Sequence, residues 1–220
     1  MKWSTCCICT LMLFLLNGCF APVNSVYDNA RLLDKKESRI GINYSRYYGS
    51  NFDLLNDNDE SLLNLNNNYG FSIGYGFSEN FNINIRYEYL KIKSEIEIFD
   101  MSFDDFLNYF EIGCKINLIR EKLALGLPIG LYNYEGGLTA SIDPRIFFTI
   151  GNSDKFDFTV IPKVHVLIGD DVGFYPGISL GMGLSSNLER WAIRPEIGYD
   201  GYFNFGVGTY YHFGKNRLSE

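Results

Sequence analysis

Beyond its first sixteen residues the chain has no apolar run long enough to cross a bilayer as a helix, which excludes a helical membrane protein. It has no excess of basic residues: 19 Lys and Arg stand against 26 Asp and Glu, a formal charge of −7, so a basic face for nucleic acid is not expected. Cysteine is sparse in the body of the chain. Cys6, Cys7, Cys9 and Cys19 sit at the N-terminus and Cys114 is alone, leaving neither a disulfide framework nor a Cys-rich metal site. The glycines recur at every second residue, a strand pattern and not a phosphate-cradling loop. The acidic stretches lack the spacing of a calcium loop. Neither cofactor nor metal is therefore expected.

What the chain does have is alternation. In the stretch 69–77 (YGFSIGYGF) one face reads Tyr69, Phe71, Ile73, Tyr75 and Phe77, and the other Gly70, Ser72, Gly74 and Gly76. Side chains on a strand point to opposite faces in turn, so this is a ribbon with one bulky apolar face and one nearly bare face. A soluble sheet carries Lys, Glu and Thr on its wet face. Aromatics opposite glycines suit a strand whose outside meets lipid and whose inside lines a narrow, crowded lumen.

The N-terminus reads as a targeting segment. Lys2 supplies a positive start, residues 8–16 a short apolar core, and Leu16-Asn17-Gly18-Cys19 follows. This run is similar to a bacterial lipoprotein cleavage box. The resemblance implies a signal peptide over 1–18 and a mature chain that begins at a lipidated Cys19. An ordinary export signal cut near Ala21 is the alternative. Residues 19–38 are expected to be a tether, 39–213 a barrel and 214–220 a tail.

Alternating strands are expected at 39–48, 69–77, 81–93, 109–118, 123–132, 139–150, 156–169, 173–185, 191–199 and 202–213. Long polar connections at 49–68 and 94–107 contrast with short turns near 79, 121, 153 and 187. Short turns on one side and longer loops on the other are the asymmetry of membrane barrels. Aromatics gather at two levels, Phe77, Phe81, Phe156, Trp191 and Phe213 at one rim, Tyr89, Phe174, Tyr199 and Phe203 at the other. Pro128, Pro144, Pro162, Pro176 and Pro195 fall inside these strands, where each removes a ladder hydrogen bond, so some are expected to mark bulges.

The fold expected is all-β, an antiparallel up-and-down transmembrane β-barrel of about 10 strands, with 8 or 12 as alternatives. Over 39–213 the chain resembles the small outer-membrane β-barrel proteins of bacteria, with Phe213 in the place of their terminal aromatic assembly signal. The resemblance implies a bacterial outer-membrane location, with the lipid anchor on the periplasmic side.

The inward positions carry five bases, Arg86, Lys115, Arg145, Lys163 and Arg194, and five acids, Glu88, Glu111, Asp143, Asp157 and Glu196. Balance of this kind suits a paired network that fills the lumen, whereas a selective pore shows one sign in excess. His165, with Asp170 and Asp171 beyond it, is the candidate for hydrolytic chemistry at the mouth, with Ser179 on the next strand as a conceivable nucleophile. The omptin proteases, also ten-stranded, carry a close Asp-x-His pairing that is absent here. His212 lies near the periplasmic rim. The expected function is structural or surface-interacting, with outer-membrane lipid as surroundings and an extracellular partner at loops 49–68 and 94–107. The alternatives are a barrel-embedded hydrolase acting on lipid or peptide, and a tethered soluble barrel with its apolar face inward around an apolar ligand.

Overall fold

The computed structural model describes residues 25–48, 66–96, 101–134, 137–151, 153–169, 172–200 and 203–214. The signal segment 1–18, Cys19, most of the 49–68 loop, Asp170, Asp171 and the tail from 215 lie outside them.

Eleven strands follow one another: β1 (Ser38–Tyr48), β2 (Asn66–Ser78), β3 (Phe81–Ile96), β4 (Met101–Ile119), β5 (Leu123–Tyr134), β6 (Gly137–Ile142), β7 (Arg145–Ile150), β8 (Phe156–Ile168), β9 (Val172–Leu184), β10 (Trp191–Tyr199) and β11 (Phe203–Phe213). Apart from β6 and β7, consecutive strands pair antiparallel, and β1 pairs with β11, so the sheet closes on itself. β6 and β7 are the two halves of one stave, since both lie between β5 and β8. The barrel thus has ten staves, and closure leaves no sheet edge exposed to lipid.

The interruption between β6 and β7 falls at Asp143 and Pro144. The backbone is kept in place there by Asp143 N–H donating to Pro128 O (3.0 Å) and Val164 N–H donating to Pro144 O (3.1 Å). Proline costs this sheet pairs and not register. The ladder skips Pro162 between β7 and β8, and Pro195 between β9 and β10, yet resumes in step. The register shifts lie instead beside short turns, at Gly76/Ser78 and Asn117/Ile119.

One expected loop is largely strand. Much of 94–107 belongs to a hairpin in which β3 runs on to Ile96 and β4 begins at Met101. The backbone register is continuous from Phe81↔Ile116 out to Ile96↔Met101.

The faces divide by polarity. Ile42, Phe71, Ile73, Phe110, Ile129, Phe174 and Phe205 point outward and are exposed, Ile42 by 68%. The inward rows hold buried polar and charged groups. A soluble carrier with its apolar face inward is excluded by this arrangement. Cys114 lies on the half-exposed outer face, its thiol toward Leu127 O (3.8 Å). The short connections at 79–80, 120–122, 151–155 and 185–190 lie at the end where β1 begins and β11 finishes.

Candidate functional site

The lumen is lined by small and charged residues, and residues 25–37 lie inside it. Lys36 N–H donates to Gly76 O (2.8 Å) and Gly76 N–H to Glu37 O (2.9 Å), fixing the segment to the short-turn rim. There Glu37 Oε1 meets His212 Nδ1 at 2.8 Å, so His212 sits at the rim where it was expected. Next inward, the Asn82 amide can pair with both backbone groups of Leu33 (2.7 and 3.2 Å). Arg31 pairs with Glu189 of the β9–β10 turn (3.1 Å). Ala30 N–H donates to Thr149 Oγ1 (2.8 Å) and Asn29 Nδ2 to Asp157 Oδ2 (2.9 Å). At the inner end Ser25 O accepts from Arg86 Nη1 (2.5 Å) and Ser25 Oγ from Asn204 Nδ2 (2.5 Å).

A loose tether over 19–38 is therefore not what the described part forms. Its hydrogen-bond partners come from β1, β2, β3, β4, β7, β8, β10 and β11, and a buried backbone satisfies its polar groups wherever the wall offers them. The sequence carried a signal for this in Val26, Tyr27, Ala30, Leu32 and Leu33, an apolar set unusual for a solvated linker. Ala30 and Leu32 pack with Ala124, Phe147 and Ile161, the apolar patch of the inner wall.

Tyr27 is the centre of the segment. Its N–H and that of Val26 both donate to the Glu196 carboxylate (2.5 and 2.7 Å), a small backbone nest for an anion. Its φ of 53° is rare for a bulky residue, with a cost of about 1–3 kcal/mol that only surrounding contacts can hold. Those contacts are close. Tyr27 Oη donates to Tyr44 O (3.0 Å), and the ring lies over Gly206 and Gly208. A Cβ at Gly208 would come within 2.7 Å of Tyr27 Cβ, and one at Gly206 would collide with the phenol. A Cβ at Gly76 would likewise strike the carbonyl of Asp34. The bare rows seen in the sequence are thus the seat of the segment.

All ten inward charges of the sequence reading are buried. Arg86 Nε donates to Glu88 Oε1 (2.7 Å), Arg145 Nη2 to Glu111 Oε2 (2.7 Å), and Arg194 pairs with Asp157. Lys115 turns instead to the segment. Lys115 Nζ donates to Asp28 Oδ2 (2.8 Å) and to the carbonyls of Asn29 (3.1 Å) and Arg31 (2.9 Å). Arg39 takes the same Asp28 carboxylate through two nitrogens (2.7 and 3.2 Å). Asp28 and Arg39 are the members that sequence reasoning missed. A residue assigned to a tether, and one at a strand start, gave no reason to be counted in the lumen.

His165 Nδ1 lies 2.8 Å from Asp143 Oδ1, and the imidazole is buried. Asp143 also accepts from Ser141 Oγ (2.9 Å) and Tyr109 Oη (3.1 Å). Ser179 does not join it. In register His165 faces Tyr175 while Ser179 faces Ile161, and Ser179 Oγ accepts from Lys163 Nζ (2.8 Å). The nucleophile and base of the conceived hydrolase are therefore not adjacent. Leu90, Leu107, Tyr109 and Tyr132 form a buried cluster on the long-loop side, the two tyrosine rings 4.4 Å apart. Beside the segment a cavity of about 60 Å³ remains, bordered by Tyr27, Asp28, Arg39, Arg86, Lys115 and Arg145. At about 30 Å³ per molecule it has room for a few waters. No group of residues that could hold a metal ion occurs among the described residues.

No protein-family model matches the chain, and no curated protein matches it. Among solved structures the barrel is similar to the N-terminal β-barrel domain of OprF from Pseudomonas aeruginosa, at 12% identity and a TM-score of 0.35 over 82% of this chain and 100% of that one. It is similar to Ail, the attachment invasion locus protein of Yersinia pestis, at 14% identity and a TM-score of 0.35 over 81% and 99%. It is similar also to an outer membrane channel from Pseudomonas putida F1, at 9% identity and a TM-score of 0.48 over 84% and 98%. The likeness is to barrels as an architecture.

Proposed function

We propose that this chain is a bacterial outer-membrane barrel whose lumen is closed by its own residues 25–37, and that it works as a structural or surface-interaction protein. The observation that carries the reading is the double salt bridge of Asp28 to Arg39 of β1 and Lys115 of β4, which ties the segment to two separate strands of the wall. The outward apolar rows support a membrane location, since on such a face charge is expensive and hydrocarbon is not. In keeping with the lipoprotein-like sequence around Cys19, residues 1–18 direct export and Cys19 carries the lipid. The partner, if the protein has one, meets the outer connections at 49–68 and within 94–107. A hydrolase is disfavoured because His165 is buried and the serine conceived as its nucleophile, Ser179, is held by Lys163 instead.

The test is ion conductance of the full chain in planar bilayers. A lumen filled in this way passes no steady current. Discrete, long-lived conducting steps would overturn the reading.

A further inference from the structure

The direction in which residues 25–37 run has a bearing on where the N-terminus goes. Lys36 and Glu37 lie at the short-turn rim, beside Gly76 and His212. Going backward along the chain, Ala30 and Asn29 bond Thr149 and Asp157, still near the short turns. Tyr27 lies over Gly208, halfway along β11, and its hydroxyl reaches Tyr44 O. Ser25 bonds Asn204, the second residue of β11 from the long-loop end, which stands opposite Tyr47 in β1. Over residues 25–37 the chain climbs from the short-turn rim past the middle of the lumen toward the long-loop end, where Ser25 also accepts from Arg86.

From Ser25 the preceding chain has two ways out, on through the near mouth or back down the lumen. The way back is filled. The segment itself runs along it, with the ion pairs of Asp28 to Arg39 and Lys115 on one side and the apolar patch of Ala124, Phe147 and Ile161 packed against Ala30 and Leu32. The short-turn end of a bacterial barrel faces the periplasm and the long-loop end the outside.

We propose that the chain N-terminal to Ser25 leaves the barrel through its outer mouth, so that the protein is threaded by its own N-terminus. The path rests on the described course of residues 25–37. What it delivers rests on the lipidation of Cys19 in the proposed function. Five residues lie between Cys19 and Ser25, a reach of at most about 20 Å over six steps, so the acyl chains enter the outer leaflet beside the mouth from the cell surface. This replaces the periplasmic anchor that strand counting alone suggests. It also makes the anchor and the lumen segment one device: pulling on the lipid tightens residues 25–37 against the wall that holds them.

The test uses the full chain in cells with an eight-residue hydrophilic epitope inserted between Asn24 and Ser25, and a second chain with the same epitope after Gly214. Heat-dependent gel mobility first checks that each has folded. Antibody binding to the first epitope on intact cells is expected, with the second epitope detected only after permeabilisation. A first epitope seen only after permeabilisation overturns the proposal. Should the insertion block folding, Asn24→Cys in a Cys114→Ala chain gives the reading instead: reaction with an impermeant maleimide on intact cells supports the path, and reaction only after permeabilisation overturns it. Metabolic labelling with a fatty acid, compared with Cys19→Ala, separates the two claims. Surface accessibility without acylation leaves the path standing and removes the lipoprotein reading.

Discussion

Replacing Asp28 with alanine removes the carboxylate that lies between two buried cations. In the native lumen Asp28 binds Arg39 through two hydrogen bonds and Lys115 through a third, and Lys115 is only 2% exposed. Breaking one member of a buried ion pair costs about 3–5 kcal/mol, because the partner is left charged and dry. In a chain of this length each kcal/mol shifts the unfolding midpoint by about 2–4 °C, so Asp28→Ala is expected to lower it by about 6–20 °C. The readout is the temperature at which the compact gel form converts to the slow one, in detergent and at a fixed heating rate, since such barrels often unfold irreversibly. The second arm is Lys115→Met in the Asp28→Ala background. Removing a stranded charge together with its partner is often close to neutral, so the double variant should recover part of the loss. A midpoint within about 2 °C of the parent for Asp28→Ala would refute the reasoning and put the N-terminal segment outside the barrel.

Other consequences can be measured in the same way. Gly208→Leu drives a side chain into Tyr27 and should destabilise by about 1–3 kcal/mol. Gly181→Ala should change little, since its Cβ would meet nothing nearer than Glu196 Oε2 at 3.8 Å. Phe71→Arg, on the lipid face, should weaken insertion into vesicles by about 2–4 kcal/mol if that position lies at the bilayer midplane, read as the folded fraction on gels. Arg145→Met strands Glu111 in the wall and should be as costly as the loss at Asp28, again about 3–5 kcal/mol, whereas a solvated Glu111 would leave the midpoint unmoved.

The strands were legible because their signal is local: a period of two needs only a few residues to declare itself, and 191–199 came out with the bounds observed. The prolines were legible as trouble but not as to its kind. Pro144 splits a stave, while Pro128, Pro162, Pro176 and Pro195 remain within strands and no register shift falls at any of them. The hairpin over 94–107 was hidden because the polarity of a single stretch does not reveal that β3 and β4 stay in register beyond the expected strand ends, out to Ile96 and Met101. The lumen charges were legible from inward parity alone. Their partners were not, because pairing depends on the segment 25–37, which has no period and whose polar backbone is satisfied only by groups far away in sequence, such as Glu196 for Tyr27. The purpose of the glycine rows was hidden for the same reason: a bare face shows that something is accommodated, without showing what.

The claim that everything else depends on is that Tyr27 lies against Gly208 inside the barrel. A full-length chain with Tyr27→Cys, Gly208→Cys and Cys114→Ala measures it directly, since a Cβ at position 208 falls 2.7 Å from that of residue 27, and a small adjustment reaches the roughly 3.5–4.5 Å of a disulfide. The account predicts a disulfide in the folded, exported protein, seen as a mobility shift on non-reducing gels that reductant reverses, and none when Gly208→Cys is exchanged for Ile42→Cys on the outer face. Two free thiols that both take up maleimide in the folded barrel would contradict it.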